Sequence, residues 1–209
     1  MLIFVYGFEQ LFGEGNFSRV TTRGKYQVGY REFHLEAGKN AVSVYYPCDE
    51  DAVVEDGPGV PYLRYDRYIE EAYKAQEWFM AQTKGDVKKE YNHYHKVHIP
   101  IVENEKIAQE FKDGSKRVIP IILSHGYEES RMSYSTIARE LASHGYLVFI
   151  MDHHDGSCVF TMDESKECFW GFDYDVKDFF DYETMNHKVK IREQEINELV
   201  NSIVKHNFL

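Results

Sequence analysis

The apolar positions of the chain change their spacing from one region to the next, and each spacing points to an element. Residues 26–35 (YQVGYREFHL) alternate, with Tyr26, Val28 and Tyr30 in phase and Phe33 out of phase. That pattern predicts a strand with an irregularity. Residues 36–40 (EAGKN) form a turn, because Gly and Asn tolerate positive φ. Residues 41–46 (AVSVYY) form a second strand, and Pro47, which has no N–H, is expected to stop its ladder. The pair reads as an antiparallel hairpin. Residues 47–61 read as a loop. Over 62–82 the apolar positions Tyr65, Tyr68, Ile69, Ala72, Ala75, Trp78 and Phe79 recur every three or four residues, which predicts a helix. Residues 83–117 are a polar connection with a short helix at 103–111.

From residue 118 the pattern changes. Residues 118–123 (VIPIIL, with Val118 and Leu123 at the ends) and 146–151 (YLVFIM) are continuous apolar runs, as strands buried on both faces should be. Between them, 133–143 predicts a helix with Ile137, Ala138, Leu141 and Ala142 on one face, closed by Gly145. Strand, helix and strand make a βαβ unit, so the two strands should be parallel. Residues 152–185 are an acidic, aromatic excursion. An amphipathic helix over 186–207, with Ile196, Leu199, Val200, Ile203 and Val204 as its apolar stripe, follows it. The expectation is a single α/β domain over 1–209.

Composition narrows the functional classes. Of 209 residues, 43% are apolar and 15% aromatic, enough for a packed core and unlike a disordered chain. The formal net charge of −11 argues against partners that present phosphate, whether nucleic acid or an anionic membrane. The apolar runs are far shorter than the roughly 18 residues of a membrane span. The N-terminal MLIFVYGF has no basic leader, so no signal peptide is expected. Three cysteines, Cys48, Cys158 and Cys168, fit a reducing, cytoplasmic setting better than a disulfide framework.

The chemistry concentrates in Ser124-His125-Gly126-Tyr127, where a buried strand turns toward a helix. Ligands of open α/β sheets bind beyond the carboxyl ends of such strands. A loop there can aim a backbone N–H at a developing oxyanion, each such donor being worth about 3 kcal/mol. His125 and Gly126 are then candidate substrate-binding positions. The alternative is a tight turn capped by a histidine. Residues 93, 95 and 98 are all histidine, but no ligand-spaced Cys or carboxylate accompanies them, and they read as surface rather than as a metal site. No cofactor or metal is expected.

Eight short motifs run in order along most of the chain. They are GKYQVG (24–29), VYYP (44–47), Pro61-Tyr62 with Tyr68, ILSHG (122–126), Tyr134-Ser135, LASHGY (141–146), DHHD (152–155) and IREQ (191–194). In this order they resemble the platelet-activating-factor acetylhydrolase family, the plasma-type and intracellular type II lipid esterases with an α/β-hydrolase fold. The resemblance implies the N-terminal part of that fold and removal of a short acyl group from a phospholipid. It places the backbone oxyanion donor at Tyr127, where the family usually has an aliphatic residue. It gives Ser124 a scaffold role, and it implies that residues 152–155 brace the floor of the site. Glu128 and Glu129 add negative charge beside the expected donor. The family nucleophile sits on a Gly-x-Ser-x-Gly elbow, and residues 1–209 contain no such motif. The chain therefore reads as incomplete on its C-terminal side, and alone is expected to be inactive. In the family the strand at 118–123 lies inside the sheet, so a missing half or a protein partner is expected to cover its edge. Residues 62–82 correspond to the family's membrane-contacting region but are rich in Glu, Arg and Tyr, which disfavours membrane docking. The aromatic stretch 169–174 either lines an acyl pocket or packs its own rings. Two functions remain: a lipid ester hydrolase, or a non-catalytic structural or assembly subunit built on the same fold.

Overall fold

The structure is a computed structural model that describes residues 21–37, 39–52, 60–61, 98–127, 129–158, 161–162, 168–169 and 181–205. In chain order its strands are β1 (Gln27–His34), β2 (Ala41–Cys48), β3 (Val60–Pro61), β4 (His98–Ile99), β5 (Val102–Glu103), β6 (Ile119–Ser124), β7 (Tyr146–Met151), β8 (Thr161–Met162) and β9 (Cys168–Phe169). The helices are α1 (Gln109–Lys112), α2 (Ser135–Ser143) and α3 (Tyr182–Lys205), with a 3₁₀ turn, Arg131–Tyr134, leading into α2. The expected helix at 62–82, His93 and His95, and residues 170–174 lie outside the described residues.

The main sheet has five strands in the order β5-β1-β2-β7-β6. β1 and β2 are antiparallel, as the hairpin reading requires, and β6 runs parallel to β7. Side chains of the central strands alternate between two cores. Tyr45, Val148 and Ile150 pack with Ala138 and Ala142 of α2, while Val42, Val44, Phe149 and Met151 pack with Leu199 of α3. The sheet is thus mixed and covered by a helix on each face, the arrangement expected of an α/β-hydrolase-like fold. Full burial of Leu199 alone contributes about 2 kcal/mol.

Several expectations need correction. β1 pairs with β2 without a break from Gln27 opposite Cys48 to His34 opposite Ala41, so the out-of-phase Phe33 marks no irregularity. Pro47 does not stop β2. β7 pairs only with residues 42–45, so no second ladder needs an N–H from Pro47, and its carbonyl accepts the Ala108 N–H at 2.9 Å. The helix expected at 103–111 shrinks to α1, because Val102–Glu103 pairs with β1 and Asn104 turns the chain at φ 57°. Ile137 is 53% exposed, and Arg139 takes a buried place on α2 instead. On α3, Val200 and Val204 are 41% and 82% exposed, leaving Leu199 as the fully buried member of the stripe. Gly145 closes α2 at φ 100°, as its sequence position suggests. Among the described residues β6 pairs with β7 alone, and Ile119 on it is 53% exposed.

Candidate active site

The carboxyl ends of β6 and β7 lie side by side, Ser124 opposite Met151. The residues that follow them, 125–127 and 152–155, therefore emerge together. One face of α3 meets them with Lys188, Arg192 and Glu195, which are spaced four and three residues apart as neighbours on a helix must be.

His153 is fully buried and is held at both ring nitrogens. Nδ1 lies 2.7 Å from Glu195 Oε2, and Nε2 lies 2.8 Å from Ser124 Oγ. A carboxylate can only accept, so Nδ1 carries the proton and Nε2 receives the Ser124 hydroxyl. Glu195 is fixed in turn: its Oε1 accepts from Asn40 Nδ2 at 2.8 Å and from the His154 N–H at 2.9 Å. Burial raises the Glu195 carboxyl, but the bonds from His153, His154 and Asn40 outweigh it and hold it below its ordinary pKa.

The loop after β6 is pinned by its neighbours. The His125 ring is 1% exposed, with Nδ1 2.7 Å from its neighbour's Gly126 carbonyl and Nε2 accepting the His153 N–H at 3.1 Å. Burial lowers its pKa and favours the neutral imidazole that this bonding needs. Arg192 Nη1 donates to the His125 carbonyl at 2.7 Å, and Arg192 Nε to Asp155 Oδ2 at 2.6 Å. Burial pushes the Asp155 carboxyl up, while Ser157 and Arg192 hold it below the usual range. Lys188 Nζ donates to the Asp155 carbonyl at 2.8 Å and sits 5.8 Å from the centre of the half-buried Tyr127 ring. The Gly126 N–H donates to Glu129 Oε2 at 2.9 Å and to Tyr134 Oη at 3.2 Å. A carboxylate thus rests on the backbone donor next to Tyr127. Glu128 lies outside the described residues.

Asp152 serves a second network. It is 0% exposed, accepts the Arg131 N–H at 2.7 Å and pairs with the Arg131 guanidinium, which also reaches Glu32 Oε1 at 3.1 Å and Ser43 Oγ at 3.0 Å. Asp152, His153 and Asp155 thus tie the turn after β7 to Arg131, Glu195 and Arg192. His125, Asp152 and Cys158 bring ligand atoms within 4.8 Å of one another. The set does not fit a cation: His125 Nε2 already takes the His153 N–H and Asp152 already holds Arg131.

The sequence reading brings His125, Gly126 and Tyr127 to this site but misses Asn40, Arg131, Lys188 and Glu195. For Lys188 and Glu195 the available signal was charge at helical spacing on α3.

Residues 13–207 match the family described as platelet-activating factor acetylhydrolase, isoform II. The chain belongs to this family. A curated relative of this acetylhydrolase-family chain is a putative phospholipase A2 from Schizosaccharomyces pombe (strain 972 / ATCC 24843), 26% identical over 121 residues. That match covers 57% of the chain and 25% of the relative. Among solved structures, a ferulic acid esterase from Streptomyces cinnamoneus is similar at 17% identity and a TM-score of 0.47, covering 75% of the chain and 42% of the esterase. The chain thus spans a quarter of the curated relative's length and under half of the solved structure's. Among the described residues no helix is long and apolar enough to cross a membrane.

Proposed function

We propose that this chain forms the oxyanion-loop part of a lipid ester hydrolase that removes a short acyl group from a phospholipid. Membership of the acetylhydrolase family supports the reaction class. The observation that carries the reading is the pinned turn at the carboxyl end of β6, where Arg192 holds the His125 carbonyl and the Tyr127 N–H follows two residues on. In this reading a nucleophile elbow, acid and base outside residues 1–209 complete the phospholipid site, and the 209 residues alone turn over no phospholipid.

The test is made in a protein that includes the downstream sequence. Tyr127→Pro deletes the backbone donor, and Tyr127→Ala keeps it while removing the ring. Tyr127→Pro is expected to lower kcat on a short-acyl phospholipid about 10²- to 10³-fold, while Tyr127→Ala stays near the parent. Equal activity of the two variants, both with native circular dichroism, would refute the donor role. A second reading, a structural or assembly subunit, is favoured by the partly exposed apolar strand β6. It predicts a stable complex in cells that covers this edge, with no downstream Gly-x-Ser-x-Gly in the transcript.

A further inference from the structure

We propose that Ser124 is itself a nucleophile, activated by His153 and Glu195, and that it takes up acyl groups from small activated carboxylic esters. This departs from the expectation of an inactive chain, which rested on the missing Gly-x-Ser-x-Gly elbow and on a scaffold role for Ser124. In the structure Ser124 has a base. Ser124 Oγ lies 2.8 Å from His153 Nε2, and His153 Nδ1 lies 2.7 Å from Glu195 Oε2. Nucleophile, base and orienting carboxylate thus stand in the hydrogen-bonded order that acyl-transfer serines use, recognised by geometry rather than by sequence position. The carboxylate is buried and doubly fixed by Asn40 and His154, so it holds the imidazole in the tautomer whose Nε2 can accept a proton.

Ser124 is exposed, while His153 behind it is fully buried. The hydroxyl opens on a surface cavity of about 400 Å³ lined by Val189, Arg192, Glu193, Ile196 and Asn197. Val189 and Ile196 offer an apolar seat for a short acyl chain. Arg192 Nη1 lies 3.3 Å from Ser124 Oγ and puts positive charge beside the carbon under attack.

The step balances within the site. Ser124 Oγ bonds to the acyl carbon and its proton passes to His153 Nε2. The ester C–O bond breaks and the leaving oxygen takes that proton. Water then repeats the sequence, giving its proton to His153 and its oxygen to the acyl carbon, and Ser124 departs reprotonated with release of the carboxylic acid. Ser124 and His153 act directly, and Glu195 is a positioning residue.

The experiment uses the 209-residue chain and an alkyl fluorophosphonate, read by intact mass and peptide mapping, with p-nitrophenyl acetate as the turnover probe. One adduct on Ser124 is expected, none in Ser124→Ala, and labelling slower by about 10²-fold or more in His153→Gln. Glu195→Asp should recover part of the rate that Glu195→Gln loses, a difference that a purely structural role would not produce. Because changes at a buried imidazole can unfold the chain, Ser124→Cys provides a second measure: it should react with iodoacetamide faster than a cysteine at the equally exposed Ser115, Ser115→Cys, at the same pH. No Ser124 adduct on a chain with native circular dichroism, or equal rates for the two thiols, overturns the proposal. Labelling of Ser124 is read on the 209-residue chain with the fluorophosphonate and p-nitrophenyl probes alone, so its failure is distinguishable from failure of the longer protein to turn over a short-acyl phospholipid.

Discussion

A guanidinium that is only 1% exposed persists because anions and a hydroxyl meet it on several sides. Arg131 binds Asp152 through both its backbone and its side chain, and it reaches Glu32 and Ser43 as well. The value of such a pair lies less in its net contribution than in the cost of breaking it. Arg131→Met leaves the carboxylate of Asp152, at 0% exposure, without its cation. The expected loss is about 3–5 kcal/mol, measured by urea unfolding. A loss under about 1 kcal/mol would mean that the fold relaxes to hydrate Asp152 and that the network braces nothing. This role was not legible in the sequence. Arg131 sits in a polar stretch that looks exposed, and Asp152, Ser43 and Glu32 lie 21, 88 and 99 residues away. Glu129 was easier to place: local spacing brought its charge to the turn, and the structure seats its carboxylate on the Gly126 N–H.

At the scale of elements, period and punctuation told most where burial is one-sided or complete. The apolar run of β7 was legible because the strand is buried along almost its whole length, and β1 was legible from its alternation although it is buried only over Val28–Tyr30 and half-buried beyond. Pro47 misled because the cost of a missing N–H depends on whether a neighbour needs it, and β7 ends before that position. The α3 stripe was overread because a 24-residue helix is covered only along part of its length, and Val204 runs on into solvent. β6 shows what apolar sequence does at an edge. Its only partner among the described residues is β7, yet Ile119 is 53% exposed and Ile121, Ile122 and Leu123 are half-buried. Pro120, with no N–H to offer, and Lys116 with Arg117 just before the strand, partly guard that edge. Ile119→Lys is therefore expected to reduce self-association in analytical ultracentrifugation while changing unfolding free energy by no more than about 0.5 kcal/mol. Undiminished association would place the contact elsewhere on the molecule.

The whole molecule joins two cores to one polar seam, and the seam makes stability depend on pH. Asp155 and Glu195 have carboxyls held below their ordinary values, so their contributions are complete above the unfolded carboxylate range and are lost as pH falls through the folded values. His125 acts in the same direction. Burial lowers its imidazole from 6.5, so the neutral form that the fold requires is fully present above 6.5 and must be protonated as pH falls below it. On the alkaline side, burial pushes the Cys48 thiol from 9.0 up to about 12, and the Tyr46 hydroxyl from 10.0 to about 12. Groups with raised values stabilise fully below the unfolded pKa, and that stabilisation is lost as pH rises from about 9 toward 12. The thermal midpoint should therefore form a plateau between about pH 6.5 and 9, with a shallow acid shoulder from His125 and a steeper fall below about pH 4 as Asp155 and Glu195 take up protons. Calorimetry across this range, repeated on His125→Asn and Cys48→Ala, assigns the limbs: the first variant should erase the shoulder and the second should soften the alkaline fall. A midpoint that declines equally in parent and variants would locate the titrating groups outside the seam and the core beneath it.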